Sequence, residues 1–75
     1  MKYWDGCDAA FIGVGQRCGF DDVAIYDYDL LLDVFIAEGM THEEAVEWVD
    51  FNLLGAYIGP DTPIIFFPGA IDAED

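Results

Sequence analysis

Apolar and polar positions divide the chain into short segments of different period. From Ala9 to Gly15 the residues read as a strand, with Ala10, Ile12 and Val14 on one face, Phe11 on the other and Gly13 thinning the middle. Gln16 to Asp22, with Gly19 and the adjacent acids Asp21 and Asp22, reads as a turn. From Asp22 to Tyr26, Val23 and Ile25 alternate with Ala24 and Tyr26, which predicts a second strand, hairpin-paired with the first.

The period then changes to that of a helix. Asp27 is placed to accept from the free amides of a helix running to Glu38, and Gly39 supplies its stop. Leu30, Leu31, Leu32, Val34, Phe35 and Ile36 surround most of that helix, which predicts a largely buried element with a narrow wet strip at Asp29 and Asp33. Thr41 with Glu44 three residues later spells a capping box for a second helix. At 100° per residue Ala45, Val46, Trp48, Val49 and Leu53 share one arc, and Glu43, Glu44, Glu47 and Asp50 share the opposite one. With only Gly39 and Met40 between them, the helices should form an antiparallel hairpin.

Gly55, Gly59-Pro60 and Pro63 end the helical region. Ile64 to Phe67, bounded by Pro63 and Pro68, reads as a third strand at an edge or boundary of the sheet. The predicted fold is α+β: a small two-layer domain over residues 1–68, its three-stranded, mostly antiparallel sheet packed on an αα-hairpin in the order ββααβ. Residues 69–75 are expected to be a flexible acidic tail.

Composition sets this fold in an unusual charge. The 75 residues carry 16 Asp and Glu against Lys2 and Arg17, a formal charge of -14, although 55% of the chain is hydrophobic. A disordered acidic tail would lack so many large apolar residues, so the chain should fold. It is too short for a Rossmann domain, a TIM barrel or an α/β-hydrolase. Nucleic-acid binding draws its affinity from Lys and Arg on phosphates, so direct binding to DNA, RNA or an anionic membrane is not expected. A basic protein surface would instead attract the chain from a distance. The start lacks the apolar core of a signal peptide, and no apolar run reaches the roughly 20 residues of a membrane span, which points to the cytoplasm.

Candidate chemistry adds little. Asp27, Asp29, Asp33 and Glu38 fall on the first, third, seventh and twelfth positions of a calcium loop, but Leu31, Leu32 and Phe35 occupy places that need oxygen ligands or glycine, and a helix explains them better. Gly13-Val14-Gly15 follows a strand without leading into a helix, so it reads as a bend and not as a phosphate cradle. Cys7 and Cys18 match no zinc spacing and have no basic surroundings to activate them. Serine is absent, and His42 reads as an exposed residue of a first helical turn. No catalytic residue, metal or cofactor is expected.

The whole pattern resembles a family of small acidic proteins of bacteriophages, prophages and mobile elements. The residues that carry the resemblance are Ile12-Gly13-Val14-Gly15, Tyr26-Asp27-Tyr28, Gly39-Met40-Thr41 with Glu43-Glu44-Ala45, Phe51-Asn52 with Gly55-Ala56, and Thr62-Pro63, spanning roughly Asp8 to Phe67. These are mostly caps, turns and core positions. The resemblance therefore implies a shared fold and a phage origin, and hence the host bacterial cytoplasm, but no site.

The acidic surface is the remaining candidate. Glu43, Glu47 and Asp50 project from one helical stripe and Asp29 and Asp33 from the neighbouring helix, adjacent β-carbons lying about 5 to 6 Å apart. DNA presents a phosphate about every 3.4 Å of rise along each strand, and carboxylates, like phosphates, accept forked hydrogen bonds from Arg. Two rows of carboxylates, with Asp21 and Asp22 as further members, are thus expected to imitate DNA and occupy the basic nucleic-acid-binding surface of a host defence complex. Some anti-CRISPR and anti-restriction proteins do so with similarly acidic surfaces, and a type I CRISPR surveillance complex is the favoured target. The alternatives are an ordinary solvated acidic face and a phage accessory module that binds a protein without imitating DNA. Phe51 and Leu54 fall within the acidic arc, where they pack under the following turn, anchor a partner or close a homodimer.

Overall fold

The computed structural model describes residues 1–69, so the predicted tail lies almost wholly outside the described residues. Its elements are β1 (Phe11–Gly15), β2 (Val23–Asp27), α1 (Tyr28–Ala37), α2 (His42–Val49), a π-helical turn (Asp50–Leu54) that continues α2, and β3 (Ile64–Phe66). This is the expected ββααβ order in an α+β domain.

The helix boundaries follow from local chemistry. The Asp27 carboxylate accepts from the Leu30 amide at 2.9 Å and starts α1. At its other end the Gly39 amide donates to the Ile36 carbonyl at 3.0 Å and the Met40 amide to the Phe35 carbonyl at 3.2 Å. This pair of bonds is a Schellman motif, and it requires the φ of +111° that Gly39 adopts. The chain then enters α2 through the capping box: the Glu44 amide donates to Thr41 Oγ1 at 3.2 Å, and the Thr41 amide donates to Glu44 Oε1 at 2.9 Å.

The sheet is mixed instead of mostly antiparallel. β2 is central, antiparallel to β1 and parallel to β3, with Ile25 opposite Ile64 and Tyr26 opposite Ile65. The reason is the connection. Everything from Tyr28 to Pro63, both helices included, lies between β2 and β3, and a strand returned by such a crossover can run beside its partner in the same direction.

β1 also departs from the expected alternation. It begins at Phe11, after a 3₁₀ turn over Asp8–Ala10, and its register shifts between Phe11 and Gly13. This bulge breaks the period of two. Phe11 consequently lies edge-on to Tyr26, ring centroids 5.8 Å apart, while Ile12 and Val14, expected to share a face with Ala10, are about half exposed.

Tyr26 is the hub of the core. It is wholly buried, its hydroxyl accepts from the Trp4 amide at 3.0 Å, and the Trp4 ring packs on it at 4.9 Å. Leu31 and Phe35 from α1 and Ala45, Val49 and Leu53 from the second helical segment complete the layer. Leu30 and Ile36 are exposed, so the wet strip of α1 is wider than its sequence suggests. The N-terminal segment is tied down at the surface, where Lys2 Nζ and the α-amino group of Met1 both meet the Asp61 carboxylate.

Candidate protein-binding surface

The surface of interest is built where α2 widens. Asn52 Nδ2 donates to the Trp48 carbonyl at 3.0 Å, so a side chain takes up a backbone acceptor just where the helix passes from α to π geometry. Over Asp50–Leu54, Leu53 turns into the core, Leu54 is half exposed, and Phe51 is thrown outward, 87% exposed. A phenyl ring this open, and not packed under the following turn, is a feature the helical wheel left undecided.

Phe51 borders an open groove of about 840 Å³. Met40 and Trp48 form its apolar part with Phe51, and Glu44, Glu47 and Asp50 supply carboxylates around them. Trp48 is held from behind by Phe35, the ring centroids 4.4 Å apart. Glu44 is held by its bond to the Thr41 amide. Asp50 Oδ1 accepts from the Tyr28 hydroxyl at 3.4 Å, which links α1 to the end of α2.

The electrostatics of Tyr28 show how the two acidic rows meet. Its phenol titrates above the ordinary tyrosine value: burial is the largest cause, followed by the charge and hydrogen bond of Asp50, and then by the charge of Asp29. Asp29 of α1 and Asp50 at the start of the π turn therefore act on one group. Tyr28 is in turn stacked on Phe67, centroids 4.5 Å apart, so this corner of the acidic face rests on the segment after β3.

Asp29 and Asp33 are exposed on α1, and Glu43, Glu47 and Asp50 are exposed along the second helical segment. Asp21 and Asp22 belong to another region. They precede β2 at the end opposite α1, and the five residues of the strand at about 3.3 Å each separate them from the helical acids. There Asp22 accepts from Gln16 Nε2 at 3.0 Å, and Asp21 lines a small cavity beside Arg17, whose guanidinium lies over Phe20 at 4.9 Å. Glu44, Trp48 and Met40 are groove residues that the sequence pattern does not mark as part of a site. Glu44 makes the expected capping box in full and Trp48 packs on Phe35 while still reaching the surface, and each side chain also lines the groove.

Among the described residues every ion pair converges on Asp61, which leaves the helical carboxylates without cationic partners. The Asp61 carboxyl is held below its ordinary value, first by the hydrogen bond from Lys2. Cys7 is buried and its thiol is pushed up, chiefly by burial and then by the charges of Glu38 and Asp8, whereas Cys18 is exposed; both are free thiols. Among the described residues no three His, Cys, Asp or Glu side chains gather as metal ligands would, and no helix is long and apolar enough to cross a membrane. Compared with family models, with curated proteins and with solved structures, the chain matches none.

Proposed function

We propose that the chain is a binding protein that occupies the nucleic-acid-binding surface of a basic partner and competes there with DNA. The observation that carries this reading is the set of carboxylates on the helical face, Asp29, Asp33, Glu43, Glu47 and Asp50, that make no ion pair among the described residues, beside the exposed ring of Phe51. A charge of -14 on a chain of 75 residues weakens the folded state through self-repulsion, and a basic partner relieves that repulsion on binding. The action is occupancy, without chemistry. The resemblance to phage proteins makes a host defence complex the natural partner, and a type I CRISPR surveillance complex the first target to test.

The test is displacement of a target duplex from a purified type I surveillance complex at several salt concentrations. Competition for one site, with affinity falling steeply as salt rises, supports DNA mimicry. Absence of competition with duplex DNA overturns it. A second reading, an interaction module that does not imitate DNA, is favoured by the exposure of Phe51 alone and would show binding nearly indifferent to salt.

A further inference from the structure

We infer that the groove between Trp48 and Phe51 is an arginine-receiving site, which takes a short segment of the partner carrying an Arg beside an apolar residue. This inference rests on the proposed function and names the partner chemistry that its helical face would select. The sign of the charge decides the first part. Glu44, Glu47 and Asp50 surround the groove and none makes an ion pair among the described residues. A second copy of the chain would bring a further charge of -14, and an acidic peptide or a nucleic acid would be repelled in the same way. A cationic segment is the complementary occupant.

The aromatic floor decides between the two cations. A guanidinium is planar and weakly hydrated, so it can lie against an indole or phenyl face while its edge donates a fork of hydrogen bonds to a carboxylate. A lysine ammonium brings a compact, strongly hydrated charge and no fork. The groove offers both halves of what Arg uses: the Trp48 and Phe51 rings, and the Glu47 and Asp50 carboxylates. Met40 adds apolar surface for the neighbouring residue of the segment.

Part of the wall is also held before anything binds. The tilted Phe35 ring backs Trp48, Thr41 holds Glu44, Asn52 holds the Trp48 carbonyl, and Tyr28 donates to Asp50. Such preorganisation lowers the ordering cost of association. It distinguishes this place from Asp29 and Asp33, which stand on an open helical surface.

The test titrates the full chain with three amidated hexapeptides of identical sequence, each with one Leu flanked by two variable residues, which are Arg, Lys or uncharged citrulline. Binding is followed by amide shifts in two-dimensional NMR at about 0.15 M salt, where exposed charges beyond roughly 8 Å are screened. The Arg peptide should shift the amides of residues 44–52 and bind about 3-fold or more tighter than the Lys peptide, since the ammonium can also approach a ring but lacks the planar face and the fork of donors. Citrulline should abolish the shifts, and Phe51→Ala should remove the preference for Arg. Equal affinity for Arg and Lys, shifts spread over the whole acidic face, or an unchanged preference in Phe51→Ala would overturn the assignment. Displacement of DNA from the surveillance complex separates the two levels. If Phe51→Ala displaces DNA as well as the unmodified protein does, the groove assignment falls and DNA competition stands. If the unmodified protein displaces no DNA while the Arg preference is observed, the assignment of the groove stands and DNA mimicry falls.

Discussion

Phe35 and Trp48 lie with ring centroids 4.4 Å apart and 35° between their planes, one ring buried in α1 and the other at the surface of α2. Through this contact the core of the αα-hairpin positions the floor of the groove. Replacing Phe35 by Leu keeps an apolar side chain but removes the ring pair, worth about 0.5 to 1.5 kcal/mol beyond area burial. Urea denaturation should show a loss of about 1 to 2 kcal/mol once packing is included. The near-ultraviolet circular dichroism of Trp48 should weaken at the same time.

The capping box makes a separate prediction. Thr41→Ala removes the acceptor for the Glu44 amide and should cost about 1 kcal/mol, while Thr41→Ser, which keeps the hydroxyl, should lie close to the parent. Because Glu44 also faces the groove, Thr41→Ala should broaden the NMR signals of residues around Trp48. Thermal or urea unfolding of the two variants decides whether the cap acts as described.

Charge repulsion predicts an unusual salt response. With the ion pairs of the described residues all on Asp61, added salt has little attraction to screen and much repulsion to relieve. The melting temperature should rise between about 0.01 and 0.15 M salt, across which the Debye length falls from about 30 to 8 Å. Asp33→Lys should raise it further at low salt. A melting temperature that is flat or falls with salt would contradict the repulsion argument.

The link from Lys2 to Asp61 gives a pH signature. Asp61 has a folded pKa below its unfolded value, so its contribution is fully present above the ordinary Asp value of about 3.9 and is lost as pH falls through the depressed folded value. Protonation of the other carboxylates relieves repulsion over the same range, so the comparison must be between two proteins. The stability difference between the parent and Lys2→Met should be present at neutral pH and vanish in acid below that window.

The two thiols should react very differently. Cys18 is exposed, whereas Cys7 is 3% exposed and its pKa is raised. Iodoacetamide at neutral pH should label Cys18 in the folded protein and reach Cys7 only on unfolding, as read by peptide mass mapping. Protection of Cys18 in the presence of a partner would place the end of the β1–β2 turn in the interface. Labelling of Cys18 with the groove still occupied would leave Asp21 and Asp22 outside it.

What could be read along the chain was whatever depends on neighbours at fixed spacing. Asp27 before a helical run, Thr41 with Glu44, and Gly39 after Glu38 each satisfy backbone groups within a few residues, so their roles survive into the structure unchanged. The exposed acids of both helices were legible for the same reason, since a 3.6-residue period assigns faces without knowledge of the partner element. Ala10 parts from Ile12 and Val14 because it lies in a 3₁₀ turn outside the strand, and a bulge between Phe11 and Gly13 then interrupts the period of two; nothing in the local pattern announces either.

The sequence by itself determined the element order, the helix caps, the size of the acid excess and which helical faces carry it, because all of these are local or additive properties. Only the tertiary structure decided that β3 runs parallel to β2, that Asp21 and Asp22 stand apart from the helical acids, and that Phe51 opens onto a groove beside Trp48. Each of these depends on contacts between residues distant in the chain, or on a π turn whose extra residue rotates the side chains that follow. The acid excess opened as a bulk charge; the fold gave part of it an aromatic floor.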